Sequence, residues 1–291
     1  CRFLGAMIAN AHWIRIKGQL LHRMVFDPED LGSVIAVAIF YHGQGDYAER
    51  YVNVLDVFTR RGIRCVITEL PGHGYSSGRR GHCGDDELLD CVVRDTLKII
   101  GEYPYGVMGH SMGGLLALRH LIFAGRDHYP MPDFAWLSSP LIHPGGRRSE
   151  WYKAILRFFT PIIPSLTVTT GVTSQMCHVK SHYPKQRPAL KKRQLWHRRI
   201  SLGWARALLD IEQLVRQHAS DIPASVPVIC TQGEDDPVCP AQTARDLFRQ
   251  LPNTEKVYCE FEGMLHDPFN GEASDQLFAA LETWLNGLDI K

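Results

Sequence analysis

Residues Val34 to Tyr41 form an unbroken apolar run, the pattern of a strand covered on both faces. Tyr47, Tyr51, Val54, Leu55 and Phe58 then follow at helical spacing, and Gly62 closes them. The alternation repeats down the chain. Ile63 to Leu70 predicts a second strand, and Asp85 to Ile100 a helix with acidic residues in its first turn and Gly101 past its end. Tyr105 to Met108 predicts a strand, Leu115 to Ala124 a helix, and Phe134 to Leu137 a strand ending at Ser138-Ser139-Pro140. Val226 to Thr231 and Lys256 to Phe261 supply two more strands. Asp275 to Leu285 reads as a closing helix with Leu277, Phe278, Leu281, Trp284 and Leu285 on one face. The segments His12 to Lys17 and Gln19 to Phe26 read as a hairpin ahead of this series. Together these predict an α/β fold with a mainly parallel sheet.

The alternation stops between about Leu141 and Ser220, where the chain reads as helical and basic and is broken by Pro161, Pro164, Pro184 and Pro188. This interval is expected to be an insertion over the C-terminal edge of the sheet, the edge where open α/β folds bind ligands. The expected organisation is therefore a core of residues 1–140 and 221–291 with a helical cap of residues 141–220.

Charge sharpens that division. From Trp151 to Leu209 there are 11 Lys or Arg and no Asp or Glu, which leaves 21 of the 32 basic residues against all 31 acidic ones elsewhere. A formal net charge of +1 thus hides a basic segment on an acidic body. With 45% hydrophobic and 22% charged residues the chain has ample core, and no apolar stretch approaches the roughly 18 residues of a membrane-spanning helix. The eight cysteines are irregularly spaced, with no CxxC pair or zinc-ligand spacing. Cys65, Cys230 and Cys259 fall in strand-like runs, which fits a reducing cytoplasm. The chain begins at Cys1, as a processed or truncated end does, and Met7 is a candidate native start. No nucleic-acid partner is expected.

The chemistry centres on Gly109-His110-Ser111-Met112-Gly113, a serine between two glycines, directly after one apolar run and directly before another. Strand, sharp turn and helix in this order hold a hydroxyl at the strand's C-terminal end, beside a helix N-terminus that favours developing negative charge. A serine hydroxyl requires a base, an acid to orient the base, and donors for the oxyanion. Asp236 lies in Gly233-Glu234-Asp235-Asp236-Pro237-Val238, after the strand ending at Thr231. His266 lies in Gly263-Met264-Leu265-His266-Asp267, after the strand ending at Phe261. The order Ser111, Asp236, His266 is that of the α/β-hydrolase triad. His42-Gly43-Gln44-Gly45 follows the strand ending at Tyr41, where the backbone N–H groups of Gln44 and Met112 can converge on one carbonyl oxygen.

With these motifs, and with Pro71-Gly72-His73-Gly74-Tyr75-Ser76 after the second parallel strand, the chain from about residue 12 onward resembles the monoacylglycerol lipase and lysophospholipase branch of the α/β-hydrolases, the serine aminopeptidase S33-like hydrolases. The inserted segment is similar to that branch's cap in Pro161-Ile162-Ile163-Pro164-Ser165-Leu166 and in the run Leu208 to Val215. The resemblance implies an α/β-hydrolase fold with Ser111 as nucleophile and His266 as general base and then acid. It further implies Asp236 as the group that fixes the imidazole, Gln44 and Met112 as oxyanion donors, and no metal or organic cofactor. Family spacing favours Asp236 over its neighbour Asp235. Glu69 departs from the Asp usual in relatives, with no catalytic consequence expected. His110 is expected to pack, because neighbours on a strained turn point oppositely, and His42 and His73 to hold loop backbones. Cys239 either lines the site, as in some relatives, or is a small buried residue.

The expected activity is hydrolysis of acyl esters of lipid-like amphiphiles through an acyl-enzyme. Alternatives are an amidase or aminopeptidase on the same scaffold, which would require an acidic pocket for a free amine, and a catalytically silent binding protein. Trp151, Tyr152, Ile155, Leu156, Phe158, Phe159, Ile162, Ile163 and Leu166 are unusually apolar for an exposed helix. At least half are expected to pack on the core. The remainder, with Phe158, Phe159, Ile162 and Ile163 the first candidates, would line an acyl-chain tunnel or rest on a lipid surface, and the surrounding positive charge suits an anionic membrane.

Overall fold

The computed structural model describes residues 2–4, 7–142, 158–177, 195–271 and 274–290. Six parallel strands carry the site: β4 (Ala36–Tyr41), β5 (Ile63–Thr68), β6 (Tyr105–His110), β7 (Phe134–Ser138), β10 (Val228–Gly233) and β11 (Lys256–Phe261). The antiparallel strands β1 (Arg2–Leu4), β2 (Met7–Ile16) and β3 (Gln19–Pro28) extend the sheet beyond β5. The nine-stranded order is β1-β2-β3-β5-β4-β6-β7-β10-β11. The expected hairpin is present but longer, because β3 pairs on its far side with β5 and is lengthened by a second partner.

β4 shows why its run is apolar throughout. Val37, Ile39 and Tyr41 enter the core on one face and Ala36, Ala38 and Phe40 the core on the other. The first face is covered by α2 (Asp86–Ile100), α3 (Met112–Gly125) and α4 (Leu202–His218), the second by α1 (Val52–Thr59) and α6 (Ser274–Gly287). α3 is buried on nearly all sides, which explains a sequence apolar all round. Asp85 caps α2 by accepting from Leu88 N–H, and Gly101 ends it at φ +62°. Helix α5 (Ala241–Gln250), between β10 and β11, has too few large apolar residues to announce itself in the pattern.

The inserted segment differs from an all-helical reading. Its described part contains a short antiparallel pair, β8 (Thr167–Thr169) and β9 (Arg199–Ser201), whose strands are 29 or more residues apart and show no run long enough to predict a sheet.

Glu69, the departure from the resembling family, is a buried staple. Its carboxylate accepts from Ala48 N–H at 2.9 Å and Tyr75 N–H at 2.7 Å, and His22 Nδ1–H donates to it at 3.0 Å. It joins the loops after β4 and β5 to β3. Glu69→Ala, which strands these donors in the interior, is expected to cost about 3 kcal/mol in urea unfolding. A loss below about 1 kcal/mol would show that the loops are held otherwise.

Candidate active site

Ser111 stands at the junction of β6 and α3 with φ +57°, a left-handed conformation that an L-residue adopts only when its surroundings enforce it. The turn is held by Ser111 N–H donating to Ser138 O and Leu141 N–H donating to Ser111 O, both at 2.9 Å. Its flanking glycines allow two different close approaches. A Cβ on Gly109 would lie 2.1 Å from Gly113 O, so this glycine lets strand and helix meet. A Cβ on Gly113 would lie 1.8 Å from Tyr41 O, so this one lets the end of β4 press against the helix N-terminus.

The three residues picked out along the chain meet here. The Ser111 hydroxyl donates to His266 Nε2 at 2.9 Å, and His266 Nδ1–H donates to Asp236 Oδ2 at 2.8 Å. Asp236, not Asp235, makes this contact. Its Oδ1 accepts the N–H groups of Val238 and Cys239, each at 2.8 Å, and Gln232 Nε2 donates to Oδ2 at 3.1 Å. The carboxylate is thereby fixed in orientation. Burial pulls the His266 pKa down, yet the carboxylates of Asp236 first, then Asp267 and Asp46, together hold the imidazole above its ordinary value. All three residues are buried, with 4–7% of their surfaces exposed.

Gln44 follows β4 and Met112 opens α3. Neither backbone N–H has a hydrogen-bond partner among the described residues; Met112 is buried and Gln44 half-buried. His42 shapes this loop as a neutral ring, its Nδ1–H donating to Gly43 O at 2.8 Å and its Nε2 accepting from Leu70 N–H at 2.9 Å. Burial lowers its pKa, which keeps the ring neutral, and these two hydrogen bonds set the tautomer. His73 Nδ1–H donates to Pro71 O at 3.1 Å. Cys239 is buried beside the triad, its sulfur within 4.8 Å of the nearest Asp236 oxygen and His266 nitrogen. Burial pushes its thiol up, so it stands protonated. Asp236, Cys239 and His266, and likewise His110, His266 and Asp267, are grouped closely enough to ligate a metal ion. Each histidine and carboxylate among them is, however, already committed to hydrogen bonds with other side chains of the protein.

His110, expected only to pack, joins a chain of buried polar and charged groups. Its Nε2–H donates to Asp267 Oδ1 at 3.1 Å, and its Nδ1 lies 3.2 Å from Ser138 Oγ. Arg50 pairs with Asp267 and, through Nε at 2.8 Å, with Asp46. Asp46 accepts from Tyr51 OH at 2.7 Å, and Tyr51 OH accepts from Gly43 N–H at 2.8 Å. The chain therefore runs from the loop after β4, past the residue before Ser111, to the residue after His266. Arg50, Asp46 and Asp267 escape a reading of the sequence because single charged residues up to 221 positions apart make no local pattern. The only hint is an acid immediately after His266.

Fewer of the apolar residues of the inserted segment pack on the core than expected. Phe158, Phe159, Ile162, Ile163 and Leu166 are 69%, 41%, 65%, 40% and 42% exposed, so fewer than half of the nine pack on the core; the other four lie outside the described residues. The segment seats through other groups. His197 donates from its backbone N–H to Gly45 O at 3.0 Å and from Nε2–H to Gly72 O at 2.9 Å, and burial pulls its pKa down to about 4. Met176 O accepts from His266 N–H at 3.2 Å.

A serine held at such a turn on a parallel sheet, with an imidazole and a carboxylate arriving on the two following loops, defines an α/β-hydrolase. Residues 32–273 match the family model described as serine aminopeptidase, S33, and the chain belongs to that family of hydrolases. It is 28% identical over 253 residues to phospholipase YtpA of Bacillus subtilis, covering 84% of this chain and 93% of that protein. It is 26% identical over 258 residues to a monoacylglycerol lipase of Mycolicibacterium smegmatis, covering 86% and 87%. An abhydrolase domain-containing protein of Dictyostelium discoideum is 27% identical over 256 residues, and there the match spans 86% of this chain but only 26% of the longer protein. The crystal structure of Paleococcus ferrophilus monoacylglycerol lipase superposes with a TM-score of 0.76 at 24% identity, covering 91% of this chain and 98% of that one.

The buried charges carry a pH signature. Burial alone would raise the Asp267 carboxyl, but Arg50 and then His110 hold it well below the usual carboxylate range. Its contribution to stability is therefore complete above about pH 4 and is lost as pH falls through the depressed native value. Asp267→Asn is expected to lower stability at neutral pH by about 3 kcal/mol and to flatten the acid side of the stability curve. Urea midpoints between about pH 3 and pH 7 read this; parallel acid limbs in the two proteins would contradict it.

Proposed function

We propose that the protein is a serine carboxylester hydrolase acting on acyl esters of lipid-like amphiphiles, monoacylglycerols or lysophospholipids. The observation that carries this reading is the continuous hydrogen-bonded line Ser111–His266–Asp236, with the Met112 N–H at the start of α3 and the Gln44 N–H on the loop after β4 both unpartnered among the described residues. As His266 takes the hydroxyl proton, Ser111 Oγ attacks the ester carbonyl, and the N–H groups of Gln44 and Met112 receive the oxyanion. The imidazolium, held by Asp236, then protonates the departing alcohol. Water enters, gives its proton to His266 and releases the acid, restoring the serine. Cys239 borders the reacting groups without taking a proton from them.

The relatives named phospholipase and monoacylglycerol lipase support an ester over an amide. A cavity of about 680 Å³ lies within the inserted segment, and no residue of the triad lines it. Arg198 and Arg199 on its wall belong to the basic stretch of that segment, whose positive field favours anionic or neutral amphiphiles over the cationic amine of an aminopeptidase substrate. The exposed Phe158, Phe159, Ile162 and Ile163, with exposed Arg198 and Arg199 in the same segment, suit an anionic lipid surface. Among the described residues no helix is long and apolar enough to cross a membrane.

Ser111→Ala is expected to lower ester turnover by at least about 10³-fold while leaving the unfolding midpoint within about 1 kcal/mol of the wild type. The assay uses monoacylglycerols, lysophospholipids, p-nitrophenyl esters of increasing length and aminoacyl amides. Retained ester turnover would remove Ser111 from its role, and amide turnover above ester turnover would reverse the substrate class. Binding to vesicles containing anionic lipid is expected to weaken between about 0.05 and 0.5 M salt, as screening shortens the reach of the basic segment. Salt-insensitive binding, or none, would dismiss the surface role.

A further inference from the structure

The two residues proposed to receive the oxyanion through their backbones also share a side-chain partner. The indole Nε1–H of Trp204 lies 3.1 Å from Gln44 Oε1 and 3.2 Å from Met112 Sδ. Trp204 is fully buried in the first turn of α4, which belongs to the inserted segment. Its own backbone is fixed: Trp204 N–H donates to Ser201 Oγ at 3.1 Å, and Ser201 N–H donates to Gly81 O at 2.9 Å. Gln44 is held from both ends, because its Nε2 donates to Arg199 O at 2.8 Å while its oxygen accepts from the indole.

Gln44 belongs to the loop after β4, and Met112 to the start of α3. An oxyanion site made from two such separate elements works only while their N–H groups keep a common focus, and a displacement of about 1 Å is worth about a hundredfold in rate. The indole offers one donor, and it is shared between an amide oxygen and a thioether sulfur, one from each element. A phenyl ring of similar shape can fill the same space but cannot hold them together.

We propose that Trp204 is a positioning residue. By binding the Gln44 amide and the Met112 sulfur at once, it sets the spacing of the two oxyanion N–H groups and makes that spacing depend on the seating of the inserted segment. The inference rests on the ester-hydrolase reading above and deepens it: the insertion tunes transition-state stabilisation as well as access.

The test compares Trp204→Phe, Gln44→Leu and the double variant with the wild type, using a p-nitrophenyl ester, a trifluoromethyl ketone that forms a tetrahedral adduct on serine, and an unreactive ether analogue of the substrate. Gln44→Leu keeps its backbone N–H and is half-exposed, so it carries the test if Trp204→Phe does not fold. Each single variant is expected to lose about tenfold in kcat with KM within about twofold, and to bind the ketone about tenfold more weakly with ether binding unchanged. The double variant is expected to be no worse than the weaker single, because both changes break one link. A kcat and ketone affinity within about twofold of wild type in both single variants would overturn the role of Trp204, as would parallel losses of ketone and ether affinity. Wild-type protein that turns over no ester would instead overturn the functional reading itself.

Discussion

The backbone of Ser111, forced into a left-handed conformation at the junction of β6 and α3, is the constraint on which the site is built. Such a conformation costs on the order of 1–3 kcal/mol and persists only where the surroundings leave no alternative. Here they leave none: Ser138 O and Leu141 N–H hold the turn from one side, and the Tyr41 carbonyl at the end of β4 presses on the helix start from the other. The close approach that imposes the strain also brings the loop after β4 against the helix N-terminus. The placement of the Ser111 hydroxyl and of the loop after β4 against the start of α3 is therefore a consequence of one packing event, in which Gly109 and Gly113 are both indispensable for different neighbours.

Buried charge then ties the remaining loops to that turn. Asp46, Arg50, Asp267 and His110 lie in the interior, where an isolated ion would be far too costly, and they persist because each faces an opposite charge or a hydrogen bond. The arrangement links the loop of Gln44, the residue before Ser111 and the residue after His266. Its desolvation cost weakens the case for stability, whereas its geometry locates three loops from distant parts of the chain relative to one another. Glu69 performs the same task for the loops after β4 and β5, with two backbone donors and a histidine meeting one carboxylate.

The inserted segment is joined to this frame by polar contacts and presents both apolar and basic residues to solvent. His197 reaches the carbonyls of Gly45 and Gly72, Met176 O receives the His266 backbone N–H, and the Trp204 indole meets Gln44 and Met112. Phe158, Phe159, Ile162 and Ile163 are exposed to solvent.

Local chemistry made much of this legible in the chain. The strand and helix periods are short-range properties, so β4, β5, α2, β6, α3, β7 and β11 follow from the spacing of apolar residues to within a few positions. The turn motif around Ser111, and the loops bearing Asp236 and His266, follow from their places after strands. What escaped is non-local. The partnership of Arg50 with Asp267 across 217 positions, the β8–β9 pair, the reach of Trp204 to Gln44 and the exposure of the apolar run near Phe158 leave no periodic trace. Periodicity reports which face of an element is apolar, but a charge pair or a shared donor exists only once folding has brought two elements together. The same folding assigns each apolar residue either to a neighbour or to water.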